Sequence, residues 1–177
     1  MKEIGKRSEE DTLMPAFIKM IENIRMLVEE TDMLSRSAIA GKMNTRGDAG
    51  KFDGEYGKVV EGFNRTLDAV ASPVEEALTV LKEMANGNLQ AQVEGNYLGE
   101  HAEIKEALNE TIENLRSYIG EISSVLAEIG GGNLNLAITA EYKGDFVKIK
   151  DSLNSIVTSL SQVMGDISDA AEQVAAG

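Results

Sequence analysis

The residue types that usually carry chemistry are scarce in this chain. His101 is the only histidine and cysteine is absent, so the sequence offers neither a thiolate metal site nor a cysteine nucleophile. The acids beside His101 are Glu100 and Glu103, and a lone histidine with two such neighbours does not make a metal site. We expect His101 to be a half-buried residue at the start of a helix, with a pH-sensitive contact as the alternative.

Two further stretches have some features of ligand-binding loops. Gly130-Gly131-Gly132 lacks the Lys-Ser/Thr pair that follows a phosphate-binding loop, and no strand is expected before it. Asp48, Asp53 and Glu55 lie among glycines but lack the spacing of a calcium loop. The sequence therefore predicts no catalytic residue, no cofactor and no metal, and we expect that the chain is not an enzyme.

Composition and charge exclude several kinds of partner. The 177 residues carry a net charge of -13 and contain no cluster of basic residues, so nucleic acid and anionic lipid are not expected ligands. No run of 18 apolar residues is present, so no membrane insertion is predicted for this segment. Residues 1–12 form a polar tail without a signal-peptide core. The expected location is the cytoplasm, either in a soluble protein or in the cytoplasmic part of a membrane receptor.

Apolar residues recur at helical spacing along most of the chain. The stripes predict a helix from Leu13 with Pro15 in its first turn, a second from about Glu55, a third around Ile104 to Ile129, and a fourth from Phe146. Successive apolar residues are mostly four and three positions apart, which is the spacing of a coiled-coil seam. Such a narrow apolar face has to be covered by another helix.

Pro73 is the strongest break signal in the chain. Two helices could abut there, with Ser72 as the N-cap and Pro73 at the first helical position. The apolar stripe nevertheless continues past Pro73 without a change of phase. We therefore favour one kinked and nearly continuous helix.

A pattern of residues occurs twice at an offset of 45 residues, and its second half occurs a third time upstream. In the two full copies a glycine is followed by two apolar residues at fixed distances, before the next helix begins. Such a period indicates a repeat architecture, and apolar residues at fixed places in a connector are expected to pack into the bundle. The repeated positions are Gly87, Leu89, Val93, Glu100, Ile104, Leu108 and Asn109, and then Gly132, Leu134, Ile138, Asp145, Phe146, Ile149, Leu153 and Asn154.

The connectors have the length needed to run back along a helix. About ten extended residues span roughly 33 Å, which matches a helix of some 20 residues, so the two helices of each repeat are expected to be parallel. Two parallel helices do not make a core, but two chains would supply four. Asn64, Asn109 and Asn154 follow a core position in each repeat, and we expect them to form hydrogen bonds either across helices or from helix to connector.

These residues and their spacing resemble the HAMP domain, and Pro73, near the start of the first helix of a repeat, also fits that family. The resemblance covers about 140 residues. It implies parallel, homodimeric four-helix bundles that relay conformational signals between a sensor and an output domain. Tandem repeats resemble the poly-HAMP arrays of methyl-accepting chemotaxis receptors. The first repeat departs from the pattern, because Gly47 stands at the second apolar connector position and Tyr56 at the apolar start of the helix.

The prediction is an all-α protein in which such bundles are stacked end to end and joined by long continuous helices. The expected segments are a polar tail (1–12), a divergent HAMP-like repeat 1 (13–72), repeat 2 (73–117), repeat 3 (118–162) and the start of a signalling helix (163–177). The expected function is signal relay in a chemoreceptor-type transducer, with the chain itself and the sensor and output domains as partners. The alternatives are a linker of a sensor histidine kinase or cyclase, and a static coiled-coil spacer.

Overall fold

The computed structural model describes residues 10–177, with side chains from residue 13, so most of the predicted polar tail (1–12) lies outside the described residues. The described residues form four long helices, α1 (Glu10–Ile39), α2 (Glu55–Ala85), α3 (Glu100–Gly130) and α4 (Phe146–Ala176). A short 3-10 helix (Ala49–Lys51) lies between α1 and α2, and no strand occurs in this part of the chain. The prediction of an all-α fold is confirmed.

The helix α1 begins at Glu10, upstream of the predicted start at Leu13. Pro15 therefore lies inside the helix, and the prediction that it occupies the first turn was wrong. The apolar stripe marks the face of a helix that packs, and a helix can extend upstream of the first residue of that stripe. The absence of an apolar residue there does not stop the helix.

The helix α2 continues through Pro73, as the uninterrupted stripe predicted. The alternative of two abutting helices, with Pro73 at the first helical position, is excluded. Proline has no N–H, so the carbonyl of Ala69, four residues earlier, receives no helical hydrogen bond from it. Pro73 is buried in the structure, and the removal of its apolar ring from water opposes that loss.

The chain divides into two compact parts, with the boundary between Thr79 and Val80. The connectors between helices are connector 1 (40–54), connector 2 (86–99) and connector 3 (131–145). In the second part each connector has its own apolar cluster, built from a preceding helix, the connector and the following helix. The buried members are Val80, Val93 and Ile112 at connector 2, and Tyr118, Val125, Ile138, Tyr142 and Val157 at connector 3.

Repeat 3 holds its two helical segments parallel. The ring of Tyr118, where the first segment of the repeat begins, lies 5.0 Å from the ring of Phe146, the first residue of α4. Ile129, near the end of the first segment, belongs to the same cluster as Val157, further along α4. The two segments therefore lie close to each other both at their first residues and further along, so they run in the same direction.

One chain leaves a second apolar face of its helices open. Ile104 and Ile149 are 50% and 42% exposed, although both lie on predicted seams. Apolar side chains exposed together in this way are typical of surfaces that bind a partner. Other exposed seam residues are Phe63, Val70, Val74, Ile119, Leu126, Leu160, Met164 and Ile167. Among the described residues, no helix has the length and apolar character needed to cross a membrane.

Candidate functional site

Gly87 and Gly132 end the helices that precede connectors 2 and 3. Their φ angles are 87° and 86°, in the left-handed region that glycine adopts without strain. At the first of them, the N–H of Gly87 donates to the carbonyl of Met84 (2.9 Å), and the N–H of Asn88 donates to that of Glu83 (3.0 Å). The same two bonds recur around Gly132. This Schellman arrangement stops the helix and turns the chain back along it.

An asparagine directly after each of these glycines fixes the first turn of the connector. The Asn88 side chain accepts from the N–H of Gln90 (3.0 Å) and donates to the Glu83 carboxylate (2.9 Å). Asn133 makes the equivalent bonds to Asn135 and Glu128. No role was predicted for Asn88 or Asn133 from the sequence, although their 45-residue offset was a usable signal.

One apolar residue of each of connectors 2 and 3 lies deep in its cluster. Val93 and Ile138 are each 2% exposed and lie between the helices that flank their connectors. Leu89 is half-buried against the cluster at connector 2, whereas Leu134 is half-buried at the edge of its connector, beside Val157 in a shallow groove.

Each repeat fastens its connector to the following helix through one asparagine. The Asn109 amide accepts from the N–H of Val93 (2.9 Å) and donates to the carbonyl of the same residue (3.0 Å). Asn154 makes the same pair of bonds with Ile138, at 2.8 and 3.2 Å. We call this pair of bonds the asparagine clamp. Of the two predicted kinds of hydrogen bond, the structure contains the one from helix to connector.

The asparagine clamp supplies hydrogen-bond partners for buried backbone groups of the connector. An extended residue whose side chain is buried also brings its own N–H and C=O out of water, and both groups need partners. A carboxamide has a donor and an acceptor side by side, so one asparagine can serve both groups. The connector residue and the second helix are thereby held together as one body.

A lysine one turn before each of these asparagines adds a second tie. The ammonium of Lys105 donates to the carbonyls of Glu94 (3.0 Å) and Gly95 (2.8 Å), just after Val93. Lys150 donates to the carbonyls of Thr139 (3.4 Å) and Ala140 (2.7 Å). Neither lysine was predictable from the sequence, because an isolated lysine on a helix is ordinarily solvated.

In repeat 1 the buried apolar side chain comes from the helix and not from the connector. Gly47 takes the connector position, and its N–H and C=O are held by Asn64 at 2.8 Å each. Val60 stands where the other repeats have lysine, and it is 1% exposed. A Cβ on Gly47 would lie 2.7 Å from Cγ1 of Val60 and 3.2 Å from Cδ1 of Leu34. The helix thus supplies the apolar side chain that the connector lacks.

The remaining predicted residues lie at helix starts, on the open face or against the apolar clusters. Glu100 is exposed at the first position of α3, where a negative charge suits the helix dipole. The Asp145 side chain is 92% exposed and pairs with Lys148, and no hydrogen bond from it caps α4. His101 is half-buried, as expected, and its Nδ1 has no hydrogen-bond partner among the described residues. Leu108 and Leu153 are half-buried against the clusters.

A tyrosine pair joins connector 3 to α3. The rings of Tyr118 and Tyr142 stack with centroids 4.2 Å apart, and the Tyr142 hydroxyl donates to the carbonyl of Tyr118 (3.3 Å). The N–H of Lys143 donates to the Tyr118 hydroxyl (3.2 Å). Burial, together with the neighbouring Glu121 carboxylate, raises the pKa of Tyr142 to about 12, so its phenol stays protonated at neutral pH. This pair was not predicted from the sequence.

The polar side chains at the connectors serve to position the backbone. The polar side chains described above bind backbone groups of the connectors or pair with one another across a helix and a connector. No group of three or more histidine, cysteine, aspartate or glutamate side chains that could hold a metal occurs in residues 10–177 where side chains are described. The arrangement is suited to coupling the position of a helix to that of its connector.

A comparison with protein families finds one family in two tandem segments of the chain. The family model described as the HAMP domain matches residues 51–117 and 118–162, which together make up more than half of the chain. A search of curated proteins finds no significant match.

Proposed function

Because the chain belongs to the HAMP domain family, whose members are signal-relay linkers in transducers, we propose that it passes conformational changes from a sensor to an output domain in a chemoreceptor-type transducer. The proposed setting is the cytoplasm, and the segment itself is proposed to catalyse nothing. The tandem arrangement supports this assignment. So does the tail from Met164 to Gly177, which resembles the helix leading into a chemoreceptor signalling bundle.

The proposed working form is a parallel homodimer. The observation that carries this proposal is the open apolar seam of the helices, which one chain leaves uncovered. A second copy in parallel register would place the same seam opposite, and two helices from each chain would form a four-helix bundle in each repeat. Identical apolar faces are the simplest surfaces to cover one another in this way.

The relay is proposed to work by exchange between two packings of each bundle. The asparagine clamp joins each connector to its second helix, so these two elements move together. The side chains of the open seam are not locked by hydrogen bonds and can take more than one register. A small energetic preference at one end is then sufficient to shift the population of packings along the array.

The relay can be tested without knowledge of the natural stimulus. The chain has no cysteine, so single cysteines at Ile21 or Ile24 of α1 would form disulfides only between two copies. These positions lie about 60° apart around the helix. Disulfides at the two positions are therefore expected to rotate the upstream end of the array in opposite directions.

The readout is amide hydrogen exchange of α4, measured with each disulfide formed and after reduction. We expect I21C and I24C to change exchange in residues 146–176 in opposite directions. Reduced protein serves as the internal control for each substitution. If both disulfides left the exchange of α4 at its reduced level, the repeats would be a static spacer. If neither disulfide formed, the dimer itself would be rejected.

A further inference from the structure

Connector 1 is held to its helices by ion pairs, in addition to the bonds between Asn64 and Gly47 and the burial of Phe52. The Arg46 guanidinium binds the Asp68 carboxylate of α2, with Nε and Nη2 at 2.8 and 2.6 Å from Oδ1. A third bond, from Nη1, runs to the carbonyl of Met43 (2.6 Å). Arg46 is therefore the point at which a charge on α2 fixes the start of the connector.

The second half of connector 1 is tied to α1 in the same manner. Glu30, whose side chain is only 11% exposed, accepts from the N–H of Asp48 (2.8 Å) and pairs with the Lys51 ammonium (3.5 Å). Lys19 also pairs with Asp53 at 3.0 Å at the end of the connector, but both side chains are more than 60% exposed, so this pair contributes little to stability. Both flanking helices thus hold this connector by charge.

Connector 3 is held differently, although it occupies the same place in its repeat. It has the stacked rings of Tyr118 and Tyr142, and Lys150 donates to its carbonyls. Apart from the local Lys148–Asp145 pair, the ion pair that joins connector 3 to a helix in the described chain is Lys143–Glu110, with both side chains more than 60% exposed. An exposed pair of this kind contributes little to stability.

From this contrast we propose that connector 1 is an element sensitive to ionic strength, which salt loosens from α1 and α2 while connector 3 stays bound. Salt weakens ion pairs near the surface, whereas stacking and apolar packing are not weakened by screening. The whole chain carries a charge of -13, so screening also relieves its self-repulsion. Salt is therefore expected to loosen connector 1 while the rest of the fold is unchanged or stabilised.

The signalling consequence rests on the relay proposed above, in which repeat 1 would be the stage at which ionic strength acts. The structural claim is independent of the relay. If salt loosened connector 1 but the α1 disulfides left hydrogen exchange in α4 unchanged, the salt sensitivity would stand and the relay would be rejected. If salt left hydrogen exchange in connector 1 unchanged, the salt sensitivity would be rejected and the relay would be unaffected.

The test is hydrogen exchange of the full chain at about 0.01 M and about 1 M sodium chloride, where the Debye length is about 30 and 3 Å. The reporter is a peptide spanning residues 46–52, whose amides include those of Gly47 and Asp48, bound by Asn64 and Glu30. The matched reporter spans residues 137–143 of connector 3. We expect salt to raise exchange roughly three- to tenfold in the first peptide, and not in the second.

Two substitutions and a control locate the effect. R46Q and K51Q each remove one charge from an ion pair, and each is expected to raise exchange at low salt and reduce its salt dependence. K42Q removes the same charge from an exposed side chain of connector 1 that makes no ion pair in the described structure. It should behave as the unmodified chain. Equal salt responses of the two connectors, or equal behaviour of R46Q, K51Q and K42Q, would overturn the inference.

Discussion

Replacing Asn154 with alanine is expected to lower the free energy of unfolding by about 2–4 kcal/mol, because it leaves two buried backbone groups of Ile138 without partners. The Asn154 amide is bound to both the N–H and the C=O of that residue. Ile138 is 2% exposed, so water cannot replace the lost bonds without displacing the connector. Urea denaturation followed by circular dichroism measures the change, with the slope of the transition unchanged.

Two further substitutions make this result specific. N135A removes the side chain of an exposed asparagine in the same connector, and it should change stability by less than about 0.5 kcal/mol. N154D keeps an acceptor for the N–H of Ile138 but sets a carboxylate oxygen against its carbonyl, so it should also destabilise. Equal stabilities of N154A and N135A would show that the asparagine clamp does not hold the connector.

Replacing Gly47 with alanine is expected to lower the free energy of unfolding by about 1–3 kcal/mol, through overpacking of a closed site. The new Cβ would lie 2.7 Å from Cγ1 of Val60, whose side chain is almost fully buried. Gly47 does not have a positive φ, so the backbone itself accepts alanine. The loss should therefore come from the contact with Val60 and not from strain.

A double-mutant cycle separates these two causes. V60A makes room beside Gly47, so the double variant G47A/V60A should be more stable than the sum of the single effects predicts, by at least about 0.5 kcal/mol. G120A is the control, because a Cβ at that helical glycine meets nothing and should stabilise the helix by about 0.5–1 kcal/mol. Strict additivity in the cycle would mean that Val60 does not fill the space left by Gly47.

The repeat made much of the junction predictable. Gly87 and Gly132 were recognisable as helix ends, and the residues at the second apolar position of each connector, Val93 and Ile138, are the most buried of their connectors. A period of 45 residues carries this information because each copy must meet the same packing constraints. The exposed state of Ile104 and Ile149 in one chain also follows from a stripe that a single helix cannot bury.

The partners of particular side chains could not be predicted in this way. Lys105 and Lys150 bind connector carbonyls only because the chain turns back over them, and a charge pattern does not show that path. The stacking of Tyr118 on Tyr142 depends in the same way on the route of connector 3.

Repeat 1 shows the limit most clearly. The missing side chain at Gly47 was visible in the sequence as a departure from the repeat. The use of Val60 to fill that space was not visible, because Val60 and Gly47 are neighbours in space but occupy different positions in the repeat pattern.

The central claim is that a second copy of the chain covers the open seam, and the solution mass tests it most directly. Light scattering over a dilution series should give twice the 19.1 kDa mass of the chain, and the value should hold down to low concentration. A mass of 19.1 kDa throughout would contradict the account. The seams would then have to be buried within one chain, and a relay through dimeric four-helix bundles would be ruled out.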